Sequence, residues 1–240
     1  MAKAAFKRVL VKLSGEALSG AQEQGLNSDL IDDLGRSLKE AGQLGVELAV
    51  VVGGGNIFRG LPASSQGVQR ELADYMGMLA TVINGLALAD ALRRQGGEAC
   101  VLSAVPIAEM VETYSIDRAR HHLQKGEVVI LVGGTGKPYF STDTAAALRA
   151  VEVGADALLK ATKVDGVYDD DPVHQPRARR FACISYMEVI KRRLQVMDTT
   201  AVVLCMENRV PIIVFNMTKK GNLKRVLTGE KIGTLVKEEC

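Results

Sequence analysis

Apolar residues along this chain follow two alternating periods. Short runs at Arg8–Leu13, Glu47–Val52, Ala99–Leu102, Glu127–Val132, Ala157–Ala161 and Pro211–Phe215 are apolar at most positions and rich in β-branched residues. Such runs are expected of parallel strands covered on both faces. Between them lie stretches with the spacing of an amphipathic helix. One runs from Ser28 through Leu30, Ile31, Leu34, Leu38 and Ala41, with Asn27 or Ser28 available as its cap. A second, Arg70–Arg94, is apolar around most of its circumference, which suits a core helix or a subunit interface. Further helices are expected at Ile116–Lys125 before Gly126, from Asp143 behind Thr142 as cap, from Ser185, and from Asp198 to Asn208. Gly233 to Val236 closes the chain. Strand and helix alternate throughout, which predicts an α/β fold around a mostly parallel sheet. No proline- or serine-rich linker and no internal repeat divides residues 1–240, so a single domain is expected.

Three strands stop in glycine or small polar residues: Ser14-Gly15, Gly53-Gly54-Gly55, and Gly133 to Gly136. Glycine permits close backbone approach, so its N–H groups can line an anion without a Cβ in the way. Asn56 and Arg59 follow the triple glycine, and arginine offers phosphate a planar fork of donors. The stretch Gly133-Gly134-Thr135-Gly136-Lys137 imitates a P-loop but fails the pattern. Leu131 stands where its first glycine is needed and Pro138 where a magnesium-binding Ser or Thr belongs. Thr135 to Thr142 reads instead as a polar loop leading into a helix whose free N–H groups favour phosphate. Ligands of open α/β sheets bind outside the carboxyl ends of the strands. Three phosphate-friendly turns on one edge imply a donor and an acceptor. Two phosphate charges about 4 Å apart repel by roughly 4 kcal/mol at an effective dielectric near 20. Several cations are therefore needed, and Lys12, Lys160 and Arg59 supply fixed positive charge beside Mg²⁺.

Composition narrows the partners. The net charge is +2, with Lys and Arg scattered, which argues against nucleic acid as the main ligand. No apolar run reads as a signal peptide or a bilayer span, and the four cysteines are far apart with no C-x-x-C pair, so reduced thiols in a cytoplasmic protein are expected. His121 and His122 read as surface residues and not as a metal site, His174 between two prolines as a turn residue, and Met76 and Met78 as packing. Asp169, Asp170 and Asp171 lack the alternation and closing glutamate of a calcium loop.

The motifs KLSGEAL (12–18), GGGNIFRG (53–60), DYMGMLATVINGLAL (74–88), GGTGKPYFSTDTAAALRA (133–150) and LLKATKVDGVYDDDP (158–172) resemble those of the bacterial uridylate kinases, a branch of the amino acid kinase superfamily. The resemblance runs essentially end to end, through VMD (196–198), PIIVFN (211–216) and the GTLV ending. It implies a three-layer αβα sandwich, a homohexamer, and transfer of the γ-phosphoryl of Mg-ATP to UMP. The acceptor side would lie in about 1–155 and the ATP side in about 156–240. It also assigns roles. Lys12, Leu13, Ser14 and Gly15 would meet the donor phosphates, together with Gly55 and Arg59. Thr162, Tyr168 and Asp171 would line the adenine and ribose pocket. Gly54 and Asp74 would hold the phosphate and ribose of UMP, with Thr135, Gly136, Lys137, Pro138, Tyr139, Phe140, Ser141 and Thr142 wrapped around uracil and phosphate. Lys12 and Lys160 would act on the transferring group, oriented by Asp143. Relatives activated by GTP and inhibited by UTP suggest an effector loop at Gly20, Ala21, Gln22, Glu23, Gln24 and Gly25, with Arg93. Cys100 stands where another cation is expected, and Lys137 where an amide is common. Another superfamily kinase, such as acetylglutamate kinase, and a non-catalytic nucleotide sensor on the same fold are the alternative readings.

Overall fold

The short apolar runs form one nine-stranded sheet in a computed structural model, which describes residues 4–20, 24–59, 67–172, 174–175 and 177–240. The strands are β1 (Arg8–Leu13), β2 (Glu47–Val52), β3 (Ala99–Ser103), β4 (Glu112–Thr113), β5 (Val128–Val132), β6 (Ala157–Thr162), β7 (Cys183–Ser185), β8 (Ile212–Asn216) and β9 (Thr234–Lys237). Their spatial order is β4-β3-β5-β2-β1-β6-β8-β9-β7. Neighbours are parallel except β8 and β9, which run antiparallel. The chain leaves β1 toward β2 on one side and later returns to β6 on the other, so β1 is the switch point at which such sheets open a crevice.

The helices are α1 (Glu16–Ser19), α2 (Ser28–Gly42), α3 (Arg70–Arg94), α4 (Ile116–Gln124), α5 (Thr142–Val153), α6 (Tyr186–Lys191), α7 (Thr199–Glu207) and α8 (Asn222–Leu227). Alternation along the strands sorts them into two layers. Val9, Val11 and Leu13 of β1 pack with Leu34 and Leu38 of α2, Leu88 and Leu92 of α3, and Leu223 and Leu227 of α8. Leu10 faces the other way, with Leu123 of α4, Ala146 and Ala150 of α5, and Val202 of α7. Lys12 lies two residues beyond Leu10 and so shares the face covered by α5. The register pairs Lys12 directly with Lys160 of β6.

Several expectations need correction. Cys183 and Cys240, expected as reduced thiols, form a disulfide with Cα atoms 5.7 Å apart. Parallel pairing of β7 with β9 brings the end of the chain back beside Cys183, a closeness that sequence separation hides. Cys100 and Cys205 are free and buried, and desolvation pushes each thiol up to about 12. His122 is not a surface residue: its side chain is 16% exposed and sits against Glu127. The cap of α5 is Ser141, which accepts the Thr144 N–H at 3.0 Å, and not Thr142. The 18-residue apolar window of α3 is long and apolar enough to cross a membrane, contrary to the sequence reading, but half of it is buried inside the fold, as in a core helix. Met78 on that helix is buried as expected, whereas Met76 is exposed.

Candidate active site

The carboxyl ends of β1, β2, β5 and β6 meet at one edge of the sheet. Lys12 and Lys160 would repel each other across the register. Asp143, in the first turn of α5, resolves this by bridging them. Its Oδ1 lies 2.9 Å from Lys12 Nζ and its Oδ2 2.7 Å from Lys160 Nζ. Burial alone would raise the carboxyl pKa of Asp143, but the two ammonium groups outweigh it and hold the carboxyl below its ordinary 3.8. Burial lowers the pKa of Lys160. Asp143 opposes that shift and Lys12 adds to it, leaving Lys160 below 10.5. Lys12 meets Asp143 Oδ1 as an ion pair without well-aligned hydrogen-bond geometry, whereas Lys160 donates a hydrogen bond to Oδ2 at 2.7 Å.

Glycine brings the turns into contact with one another. A Cβ on Gly15 would fall 2.4 Å from Asn56 Oδ1 and 2.8 Å from the Gly55 amide nitrogen. A Cβ on Gly54 would meet the Gly77 carbonyl of α3 at 2.7 Å. Two fully buried asparagines lock this packing. Asn84 of α3 donates to the Gly53 carbonyl at 2.6 Å and to Asn56 Oδ1 at 2.7 Å, and Asn56 donates to Gly25 O at 2.8 Å. The third turn is held similarly, because the Gly133 N–H donates to Thr81 Oγ1 of α3 at 2.8 Å.

Two cavities flank the charged cluster. One of 680 Å³ is lined by Gly54, Gly55, Arg59, Arg70, Asp74, Thr135, Tyr139, Phe140, Ser141 and Thr142, among others. Within it Asp74 accepts from Arg70 Nε at 2.9 Å and from the Tyr139 N–H at 2.8 Å, which fixes the loop over the cavity mouth. Tyr139 adopts φ 72°, a left-handed conformation uncommon outside glycine. A second cavity of 470 Å³ is lined by Lys160, Thr162, Tyr168, Asp171 and the segment Arg192 to Val196. Lys160 borders the second cavity and Thr142 the first, while Asp143 joins them. Charge for a transferring anionic group is thus concentrated at the junction of two ligand-sized spaces.

The amino acid kinase family model matches residues 7–216. The chain belongs to the amino acid kinase family. Among solved structures of that family's kind, UMP kinase from Bacillus anthracis is 38% identical with a TM-score of 0.94, covering 98% of this chain and 97% of the other. UMP kinase from Ureaplasma parvum is also 38% identical, with a TM-score of 0.91 and coverage of 99% and 100%. Uridylate kinase from Archaeoglobus fulgidus is 28% identical with a TM-score of 0.73, covering 95% and 99%.

On this amino acid kinase fold, most of the residues singled out from sequence converge. Leu13, Ser14 and Gly15 follow Lys12 at the end of β1, and Ser14 lines a further hollow of 250 Å³ with Glu16 and Lys163. Arg59 pairs with Glu16 at 2.8 Å and holds the Gly55 carbonyl at 3.0 Å. Lys137 lines a neighbouring hollow with Leu148 and Leu204, while Gly136 packs against the Ala104 carbonyl. Neither they nor Pro138 border the cavity around Asp74. Ala21, Gln22 and Glu23 lie outside the described residues, as does Gly60. Gly25 donates to the Asn56 carbonyl, and Arg93 donates to Ala99 O at 2.8 Å.

Sequence reasoning passed over four supporting residues. Asn84 and Arg70 sit on α3, where nothing in the helical pattern marks them; only the four-residue spacing of Arg70 and Asp74 is a signal. Asp198 was legible as the cap of α7, which it is, but it also accepts from Thr144 Oγ1 at 2.9 Å and from Ser141 Oγ. Arg149 is buried, pairs with Glu152 at 2.5 Å, lies 3.9 Å over the Tyr114 ring and reaches the Gly134 carbonyl at 3.3 Å.

Proposed function

We propose that this chain transfers the γ-phosphoryl group of ATP to UMP by in-line displacement, a reading supported by its similarity to UMP kinases. The observation that carries the reading is the Lys12–Asp143–Lys160 cluster at the junction of the two cavities. UMP occupies the cavity with Gly54 and Asp74, and the adenosine of ATP the cavity with Thr162, Tyr168 and Asp171. Residues 1–155 then form the acceptor side and 156–240 the donor side. The accepting group is already an anionic phosphate oxygen, so no general base has to remove a proton from it. The barrier is electrostatic, and fixed positive charge aimed at the transferring oxygens lowers it.

Lys12 leaves its incomplete contact with Asp143 to meet the transferring group, and Lys160 stays hydrogen-bonded to Asp143 Oδ2 while facing the donor cavity. Asp143 opposes the loss of charge that burial imposes on Lys160 and offsets the repulsion between the two lysines. The residues present fit a magnesium ion carried on the nucleotide: Asp143 is already held by two lysines, so phosphate oxygens and water would supply the ligands. When bound, Mg²⁺ neutralises charge on the β- and γ-phosphate oxygens.

Asp74 gives the direct test of the acceptor side. Asp74→Asn removes the charge that Arg70 and the Tyr139 amide share, and hydrogen bonds to charged groups contribute about 1.5–3 kcal/mol. Steady-state kinetics should show the KM for UMP rising roughly tenfold or more, with the KM for ATP unchanged. An ATP defect in place of a UMP defect would contradict the assignment.

The same reading extends to assembly and regulation. Leu72, Tyr75, Met76, Leu79, Ile83 and Leu86 form an exposed apolar stripe on one face of α3, which supports a symmetric assembly, a homohexamer on the pattern of the resemblance. Light scattering should find a multiple of the 25.7 kDa chain, and Ile83→Glu should shift it toward smaller species. A parent protein that is monomeric would contradict the assembly. GTP activation and UTP inhibition, through the loop from Gly20 to Gly25 and Arg93, belong to this proposal as well.

A further inference from the structure

Four side chains with metal-binding donors gather beside β3, near the amino ends of β3 and β5 and so away from the carboxyl edge that carries the phosphate turns. Cys100 is the second residue of β3 and is buried. His122 lies in the last turn of α4, and Glu127 immediately precedes β5. The Glu127 N–H donates to the His122 carbonyl at 3.2 Å, which ties helix end to strand start. One donor atom each from Cys100, His122 and Glu127 lies within 4.8 Å of the other two. Glu112 of β4 approaches from a further side, its Oε1 3.9 Å from Cys100 Sγ and 3.7 Å from His122 Nε2.

The imidazole carries the argument. Glu127 Oε2 is 3.0 Å from Nδ1 and Glu112 Oε1 is 3.7 Å from Nε2, so both ring nitrogens face carboxylates. A neutral imidazole has one N–H, and its other nitrogen presents a lone pair. In the neutral ring one lone pair therefore opposes a carboxylate oxygen. A cation held among these donors removes that opposition. Thiolate, imidazole and carboxylate together suit a borderline-soft divalent ion, and hard oxygen-seeking ions such as Mg²⁺ less well. Zinc–donor bonds of about 2.0–2.3 Å place tetrahedral donors roughly 3.3–3.7 Å apart. The 3.0 Å between His122 Nδ1 and Glu127 Oε2 is already near that spacing, whereas Glu112 stands on the Nε2 side of the ring, where it would accept the remaining ring N–H.

We propose that Cys100, His122 and Glu127 bind a zinc-class divalent cation, with Glu112 orienting the imidazole from its other nitrogen, at a site separate from the Lys12–Asp143–Lys160 cluster. Binding displaces the thiol proton of Cys100 to solvent, because the thiolate is the ligand. The proposal stands independently of the phosphoryl-transfer reading.

Chelator-treated full-length protein, without nucleotide, would be titrated with Co²⁺ and then Zn²⁺. The expected result is one equivalent bound, with a sulfur-to-cobalt charge-transfer band in the near ultraviolet that Zn²⁺ bleaches. Cys100→Ser should abolish that band, and His122→Gln or Glu127→Gln should weaken binding by about tenfold or more. The other free thiol, Cys205, serves as control, since Cys205→Ser should leave the band intact. Wild-type protein with no thiolate band, or Cys100→Ser with the band and affinity unchanged, would overturn the site. So would nitrogen NMR showing the His122 ring doubly protonated at saturating Zn²⁺, because a proton would then be the balancing cation.

Discussion

Lys12→Ala is expected to lower turnover at saturating ATP and UMP by roughly 10²–10³-fold, the usual effect of removing one group that stabilises transition-state charge. UMP affinity, measured by calorimetry, should stay close to the parent value, because Lys12 does not line the cavity around Asp74. Thermal stability should not fall, since the substitution removes one of two ammonium groups facing each other across the β1–β6 register and leaves Asp143 paired with Lys160. That combination separates a group acting on the transferring phosphoryl from one that holds the fold. A variant with parental turnover would exclude Lys12 from the chemistry.

Asp143→Asn should have the largest effect on stability. It leaves two buried lysines opposed without a counter-charge, and breaking a buried ion pair costs about 3–5 kcal/mol. For a chain of this size the melting temperature should drop by about 10 °C. The pH dependence has a definite sign. The carboxyl of Asp143 is held below 3.8 in the folded state, so its contribution is complete above that value and is lost as pH falls below it. The parent should show this acid loss and the asparagine variant should lack it. In the variant Lys160 also loses the partner that opposes its downward shift, so the alkaline limb of activity should move to lower pH. Melting curves from pH 2 to 6 and a pH–rate profile would check both limbs.

The parts of this site written in local chemistry were legible in the sequence. Strands ending at Ser14-Gly15, Gly53-Gly54-Gly55 and Gly133 to Gly136 announce turns suited to an anion wherever the sheet places them. The longer helices were legible because their periods are long and their caps chemical, as at Asn27 and Asp198, whereas α1 and α8, four and six residues long and without a side-chain cap, were not. What escaped depends on pairings distant in the chain. That Lys12 lies opposite Lys160 follows from β1 choosing β6 as a neighbour, which no local pattern encodes. The clamp between Asn56 and Asn84 and the disulfide between Cys183 and Cys240 are long-range in the same sense. β4 and β7 escaped because two and three residues carry no period, and they exist only as additions to strands already formed. His122 was misread because its helix is polar overall, and only the fold turns that ring toward Glu127 and Cys100.

The most direct measurement is a coupled ADP-release assay with Mg-ATP, offering UMP, CMP, dUMP and N-acetylglutamate separately, each with and without GTP. Phosphoryl transfer to UMP predicts robust turnover with UMP and none with N-acetylglutamate, with the GTP arm reading out regulation. Folded, nucleotide-binding protein that turned over none of these acceptors would contradict the account and favour a nucleotide sensor built on the same fold.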